Sequence, residues 1–411
     1  MKKNTELNTP VFLLDLDILE DNIKTYQKAA DDNKKELWPM TKTHKSTEIA
    51  LLQQKAGAKG FLCGTLDECE MLVSAGVHNV MYAYPVVNEP NISRIIKLAK
   101  VCNFLLRIDD TRQAELLNEH AKNAGVRLNY VVIINSGLNR FGIEPNDIGE
   151  FLKSVKPFEH LTFKGLCTHP GHVYGANSYE AVALIAKEET EAIEIALHGL
   201  EKRQVGEKQT ADLEKLETGV EQATEADVES RLFAGAEAES ARLKAESQPE
   251  FISTGSTPTY HMVVNNANIN KFHPGNYVFM DNIQISLGIA KEKNCALTVL
   301  ATVVSNPRNG TYIIDAGSKC LGLDKGAHGS ENINGFGLVK GRKDIKIDRL
   351  SEEVGVITCE QGSLNIGEKI EIIPNHSCST ANMTSYYICK RGDAVTGTFK
   401  VDMRGNSKNL L

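Results

Sequence analysis

The 411-residue chain has no run of apolar residues approaching the eighteen or more that a membrane-spanning helix needs, and its first ten residues contain no apolar leader core. It is therefore expected to be cytoplasmic, with no membrane partner. Cysteine is present but unorganised. Nine residues, an odd number with no Cys-x-x-Cys pair, argue against a disulfide framework and fit a reducing compartment. Clustered basic charge is lacking too. The net charge is −7, and 187–246 alone carries −8, leaving about +1 for everything else. A nearly neutral body offers no footprint for nucleic acid.

What is there is a soluble globular composition, 41 % hydrophobic and 24 % charged. The length exceeds one ordinary domain and suits a barrel of roughly 250 residues with a smaller partner. Over 10–275, short β-branched or apolar runs at 11–16, 36–41, 60–64, 80–85, 103–109, 130–135, 163–169, 251–255 and 272–279 alternate with amphipathic stretches. Strands alternating with helices predict a parallel sheet, and eight such units predict an α/β fold with a closed (β/α)8 TIM barrel over 18–280. The first run is a ninth, expected outside the barrel, so that 1–17 joins 281–411. Beyond about 281, strand-like runs separated by Gly, Asn, Asp and Pro predict a C-terminal β-rich domain. The acidic stretch 188–246, rich in Ala, Glu, Lys and Leu, reads as an insertion of two or three exposed helices or a partly disordered arm, structurally idle.

The chemistry gathers where predicted barrel strands end, the face on which barrel active sites form. The first ends in Thr41-Lys42-Thr43-His44-Lys45. A lysine there suits a Schiff-base nucleophile, with His44 and Lys45 as neighbouring cations that would lower its pKa. Taken alone, the stretch is also what a solvated basic turn looks like. The fifth strand ends in a Gly-bracketed turn holding Arg140. The sixth ends in Thr168-His169-Pro170-Gly171-His172-Val173-Tyr174, dense in titratable and stacking groups. The seventh ends in Thr254-Gly255-Ser256-Thr257, amides and hydroxyls able to cradle a phosphate. A Schiff-base lysine with a phosphate cradle means pyridoxal 5′-phosphate. In the β-rich part, His376-Ser377-Cys378 follows a strand. In an extended segment the two outer side chains share one side and suit a zinc-type metal, though a buried cysteine beside a surface histidine would read the same.

These residues in this order, with Thr9-Pro10, Pro39-x-x-Lys42, Gly137-x-x-Arg140-x-Gly142, Ser253 to Thr259, Pro274-Gly275-x-Tyr277-Val278-Phe279-x-Asp281 and Pro374-Asn375-His376-x-Cys378, resemble the D-threonine aldolase and D-serine dehydratase family. The resemblance spans nearly the whole chain apart from the acidic stretch. It implies a lyase of the alanine-racemase-like fold acting on D-β-hydroxy amino acids, either D-threonine aldolase or D-serine dehydratase. By resemblance Lys42 carries the cofactor, and Arg140 contacts the pyridine nitrogen. Gly255, Ser256 and Thr257 hold the phosphate, and His376 and Cys378 bind a divalent metal, zinc or manganese; from the turn after the sixth strand His169 is expected as a catalytic group stacking on the cofactor, with Tyr174 as a further cofactor contact. It also implies a homodimer with shared sites. Three positions depart from the pattern. Val354 replaces a common histidine, His169 stands where tyrosine is common, and His-x-Cys replaces the His-x-Asp usual in the aldolases.

Overall fold

The computed structural model describes residues 3, 6–218, 249–325 and 333–405, with the backbone alone for 202–218. The first strand, β1 (Val11–Asp15), stands apart from the eight that follow. Those eight are β2 (Glu36–Leu37), β3 (Phe61–Cys63), β4 (Asn79–Tyr82), β5 (Asn103–Ile108), β6 (Leu128–Ile133), β7 (Leu161–Cys167), β8 (Phe251–Thr254) and β9 (Lys271–Phe272). They form one parallel sheet in the order β2-β9-β8-β7-β6-β5-β4-β3. The sheet curls until β2 meets β3, where the seam is a single Met40↔Leu62 bridge with Leu62 N donating to Pro39 O at 2.9 Å. The expected (β/α)8 arrangement is met. Side chains alternate along each strand, so Leu62, Met81, Leu105, Val131 and Cys167 fill the barrel while Phe61, Val80, Phe104, Leu106 and Val132 pack outward.

Helices α1 (Leu16–Asp32), α2 (Thr47–Ala56), α3 (Leu66–Ser74), α4 (Glu89–Ala99), α5 (Thr111–Asn123) and α6 (Ile148–Val155) cover the outside. Asp15, Ser46, Thr65, Asn88 and Asp110 cap α1 to α5 by accepting backbone N–H groups of the first turn. The acidic stretch needs correction at its start. Its opening residues belong to α7 (Tyr179–Thr218), which buries Val182, Ala186, Glu189, Ile193, Ala196 and Leu200. One continuous helix covers 188–218, and its first half is core rather than exposed. Gly199 is a packing position, since a Cβ there would lie 2.8 Å from Ile148 Cγ2. The remainder of the predicted insertion, 219–246, lies outside the described residues.

The C-terminal strands are β10 (Leu297–Arg308), β11 (Thr311–Ile314), β12 (Leu338–Val339), β13 (Lys346–Leu350), β14 (Gly355–Thr358), β15 (Lys369–Ile373), β16 (Tyr386–Arg391) and β17 (Ala394–Lys400). With β1 they make a sheet in the order β11-β14-β13-β12-β15-β10-β1-β16-β17, and a β10–β11 pairing rolls six of them into a small barrel. Within it pack Val299, Tyr312, Ile347, Ile357 and Ile372. β1 sits between β10, antiparallel, and β16, parallel. This second unit closes over the turn after β2. Tyr387 donates its hydroxyl to His44 O at 2.8 Å, Met403 N donates to Lys45 O at 3.0 Å, and Asp402 accepts from Thr47 N at 2.9 Å. No helix among the described residues is long and apolar enough to cross a membrane.

Candidate active site

The ladder of β2 ends earlier than its hydrophobic run, and the chain passes Pro39 into a single 3-10 turn, Thr41–Thr43, that carries Lys42. A buried carboxylate anchors this turn. Glu68 accepts from the Thr41 hydroxyl at 2.7 Å, Gly64 N at 2.8 Å and Lys45 Nζ at 2.6 Å. Gly64 leaves room for the lysine, because a Cβ there would lie 2.9 Å from Lys42 Cβ. Lys42 itself makes no hydrogen bond or ion pair among the described residues. The expectation that Lys45 and His44 present free positive charge beside it is corrected. Lys45 is paired with Glu68, and burial pulls the His44 imidazole down to about 3, so that ring is neutral.

Lys42 opens onto a cavity of about 240 Å3. Among the predicted residues, Arg140, His169, Tyr174, Gly255, Ser256, His376 and Cys378 reach it as well. Thr257 does not. Its hydroxyl accepts from Tyr277 N at 3.0 Å and its amide points to Tyr174 Oη at 3.4 Å, so it buttresses the turn from behind. Gly255 lies directly on the backbone of His273, only 2.6 Å from a built Cβ to the His273 carbonyl carbon, which explains why no side chain is tolerated there. His169 Nδ1 hydrogen-bonds to the Gly255 carbonyl and so carries the proton. Burial first and Lys42 second hold the His169 imidazole down at about 3, leaving the second nitrogen unprotonated. Arg140 is exposed at the rim, its guanidinium 5.9 Å from the Tyr84 ring centre and 5.2 Å from that of Phe141.

Two floor residues were missed from sequence. Arg107, buried at the end of β5, gives its Nε to Met81 Sδ at 3.3 Å and leaves Nη2 without a partner among the described residues. An arginine inside an otherwise apolar strand run was its signal. His273 follows β9, with Nδ1 2.9 Å from the Trp38 carbonyl and Nε2 buried without a partner among the described residues. Its position at the end of the eighth barrel strand was the available clue.

Across the cavity stand His376 and Cys378. The structure corrects the geometry expected for them, since His376 is the last extended residue and Cys378 lies in the first turn of a short helix, Ser377–Ala381. They still converge. Burial opposes charge on both, but the thiolate, Asp324 and Asp281 raise the His376 pKa well above its ordinary value, while His376 lowers that of Cys378. The sulfur lies 3.3 Å from Thr43 Oγ1, one residue from Lys42. No cluster of three or more metal-type side chains occurs among the described residues. Val354 is exposed and does not line the cavity.

A barrel with a lysine at its mouth, a glycine-serine turn and a histidine–cysteine pair brought by a second β unit defines a class of two-domain barrel enzyme. Residues 14–282 match the family model described as alanine racemase, N-terminal domain, and 296–390 match the model of a domain named for serine dehydratase. The chain belongs to the alanine racemase N-terminal domain family. It is 26 % identical to 3-hydroxy-D-aspartate aldolase of Paracoccus denitrificans over 98 % of this chain and 93 % of that one. It is 27 % identical to D-serine dehydratase of Dictyostelium discoideum, with 96 % of each covered. Its structure is similar to that of D-threonine aldolase from Filomicrobium marinum, at a TM-score of 0.80, 26 % identity and coverage of 98 % and 99 %. The expected aldolase and dehydratase family is thereby met, as is the expectation of an enzyme of lyase type.

Proposed function

We propose that the chain is a pyridoxal-phosphate- and divalent-metal-dependent lyase acting on D-β-hydroxy amino acids, cleaving D-threonine to glycine and acetaldehyde, in a homodimer. One observation carries the reading: partner-free Lys42 and the His376–Cys378 pair face the same cavity. The residues fit both groups. Lys42 Nζ and the Gly255–Ser256 turn would hold the cofactor, over a floor whose Arg107 and His273 keep buried polar atoms unmatched, each costly unless a ligand meets it. His376 and a thiol already biased towards thiolate would hold a metal with positions left for substrate and solvent, and this soft donor set suits zinc, with manganese the alternative.

When bound, the cofactor takes up charge developing at the substrate α-carbon and the metal acts as a Lewis acid on the β-hydroxyl. The protein's own part is proton traffic and position. Lys42 Nζ is the group we assign to the α-proton. His169, fixed by its bond to Gly255 O and held neutral, is the group we assign to the β-hydroxyl proton. Tyr174 and Thr257 support the anion turn from below.

Dehydration of D-serine to pyruvate and ammonia uses the same parts. The Cys378 ligand, in place of the aspartate common in the aldolases, favours this second reading. A racemase would need a second proton-transfer group on the opposite face and no metal pair. Identification of products from D-threonine and D-serine tests the proposal. Acetaldehyde with glycine supports the aldolase, pyruvate or 2-oxobutanoate the dehydratase, and L-amino acid alone would overturn both.

A further inference from the structure

The lysine and arginine charges that line the cavity have no carboxylate to answer them. Lys42, Arg107 and Arg140 line it, and no aspartate or glutamate does among the described residues. Both arginines also line a small recess adjoining it at the ends of β5 and β6, again with no carboxylate in its described wall. Arg107 is 5 % exposed, and its Nη2 is buried without a partner among the described residues. Arg140 has the rings of Tyr84 and Phe141 beside its guanidinium, with no hydrogen bond or ion pair among the described residues. His169, which we assign to the β-hydroxyl proton, lines the same recess.

A guanidinium is always charged, and a buried charge is costly unless an opposite charge meets it. The cofactor answers at most one of the two. Its phosphate belongs to the Gly255–Ser256 turn after β8, and β7 stands between β8 and β6 in the sheet. Its ring offers a single phenolate oxygen and an uncharged nitrogen. The remaining anion has to come with the substrate. A planar carboxylate matches the guanidinium fork. One attached to the β-carbon comes within reach of the recess, because the histidine assigned to the β-hydroxyl is part of its wall.

We propose that the Arg107–Arg140 recess is a carboxylate subsite for the β-substituent, so that the preferred substrates are D-β-hydroxy amino acids with a second carboxylate on the β-carbon, the 3-hydroxyaspartate class. This rests on the lyase reading above and refines its choice of side chain. The methyl group of D-threonine or the hydrogen of D-serine in that place leaves a guanidinium unanswered. A site built to pair a polar group discriminates strongly against an analogue that lacks it. The two arginines determine specificity and take no part in breaking bonds.

The test compares kcat/KM for 3-hydroxy-D-aspartate, D-threonine and D-serine in the full-length protein loaded with cofactor and metal, wild type against Arg140→Gln and Arg107→Met. The wild type is expected to favour 3-hydroxy-D-aspartate by about 10- to 100-fold, the range of one charge-assisted hydrogen-bonded pair. Each substitution should bring that ratio towards one, and a ratio cancels any shared effect on folding or cofactor loading. Arg140 is exposed, so Arg140→Gln serves if Arg107→Met does not fold. Calorimetry gives a readout without turnover. D-Aspartate, which lacks the β-hydroxyl, should bind the wild type about tenfold tighter than D-2-aminobutyrate and lose that advantage in the variants. An unaltered ratio in either folded variant overturns the inference, and equal losses on all three substrates would give the recess to the α-carboxylate they share. A wild-type preference for D-threonine or D-serine overturns it too, and both results leave the lyase reading standing. Absence of β-carbon chemistry on all three overturns that reading and this inference with it.

Discussion

Lys45 Nζ stands 2.6 Å from Glu68 Oε1, and the same buried carboxylate takes the Thr41 hydroxyl at 2.7 Å. The residues on both sides of Lys42 are therefore tied to one anion from α3. Removing that anion leaves Lys45, with only 11 % side-chain exposure, without its counter-charge. Glu68→Ala should lower unfolding stability by about 3–5 kcal/mol, the usual cost of breaking a buried pair from one side. Urea denaturation measures the loss, and the yield of cofactor trapped on Lys42 should fall with it.

Lys42 is the amine assigned to the cofactor. Borohydride reduction of the loaded protein followed by peptide mass mapping should find the adduct at Lys42, and Lys42→Ala should have none. An adduct of undiminished yield in that variant would move the role to another lysine.

The parts legible in sequence were those that a short stretch contains whole. Lys42 at the end of a strand, the Gly255–Ser256 turn and His376-x-Cys378 each announce their chemistry locally. What stayed hidden depends on distant chain. Glu189 sits inside an acidic run whose charge suggests solvent, yet the face of α7 carrying it turns to Thr254, sixty-five residues further on. Arg107 and His273 meet the cavity floor only because the barrel brings β5 and β9 round one axis. Thr257 reads as a cradle residue but is spent on Tyr277 N. An extended reading of 376–378 missed the helix that begins at Ser377, where the Asp281 carboxylate accepts from Ser377 N at 2.9 Å.

The two parts of the acidic stretch should respond differently to change. Ile193, 1 % exposed on the packed half of α7, should cost about 2–5 kcal/mol when cut to alanine. Deletion of 206–235, from the strongly charged part, should leave a soluble protein that still loads cofactor. Thermal melting and absorbance of the bound cofactor measure both.

Glu189 also makes stability depend on pH. Its carboxyl titrates near 7 in the fold, raised by burial from 4.5. A raised acid pKa means that the folded state binds the proton more tightly, so its contribution is complete below about pH 4.5 and is lost as pH rises through 7. The size is roughly 3 kcal/mol, at 1.36 kcal/mol per unit. Glu189→Gln cannot ionise, so the unfolding free energy of the wild type relative to that variant should fall across this window. Denaturant titrations at pH 5, 6, 7 and 8 would show it, and a constant difference would contradict it.

The metal pair carries the claim that this barrel breaks or eliminates at the β-carbon. The measurement is turnover of D-threonine and D-serine by wild type, His376→Ala and Cys378→Ala, with excess chelator and after adding back zinc or manganese, alongside bound metal and the Lys42 adduct. The account predicts that chelator stops the wild type and metal restores it. Both variants should lose metal and most turnover while keeping the Lys42 adduct, because neither side chain is assigned to holding the cofactor. Near-normal turnover of either amino acid by the variants in excess chelator would contradict it.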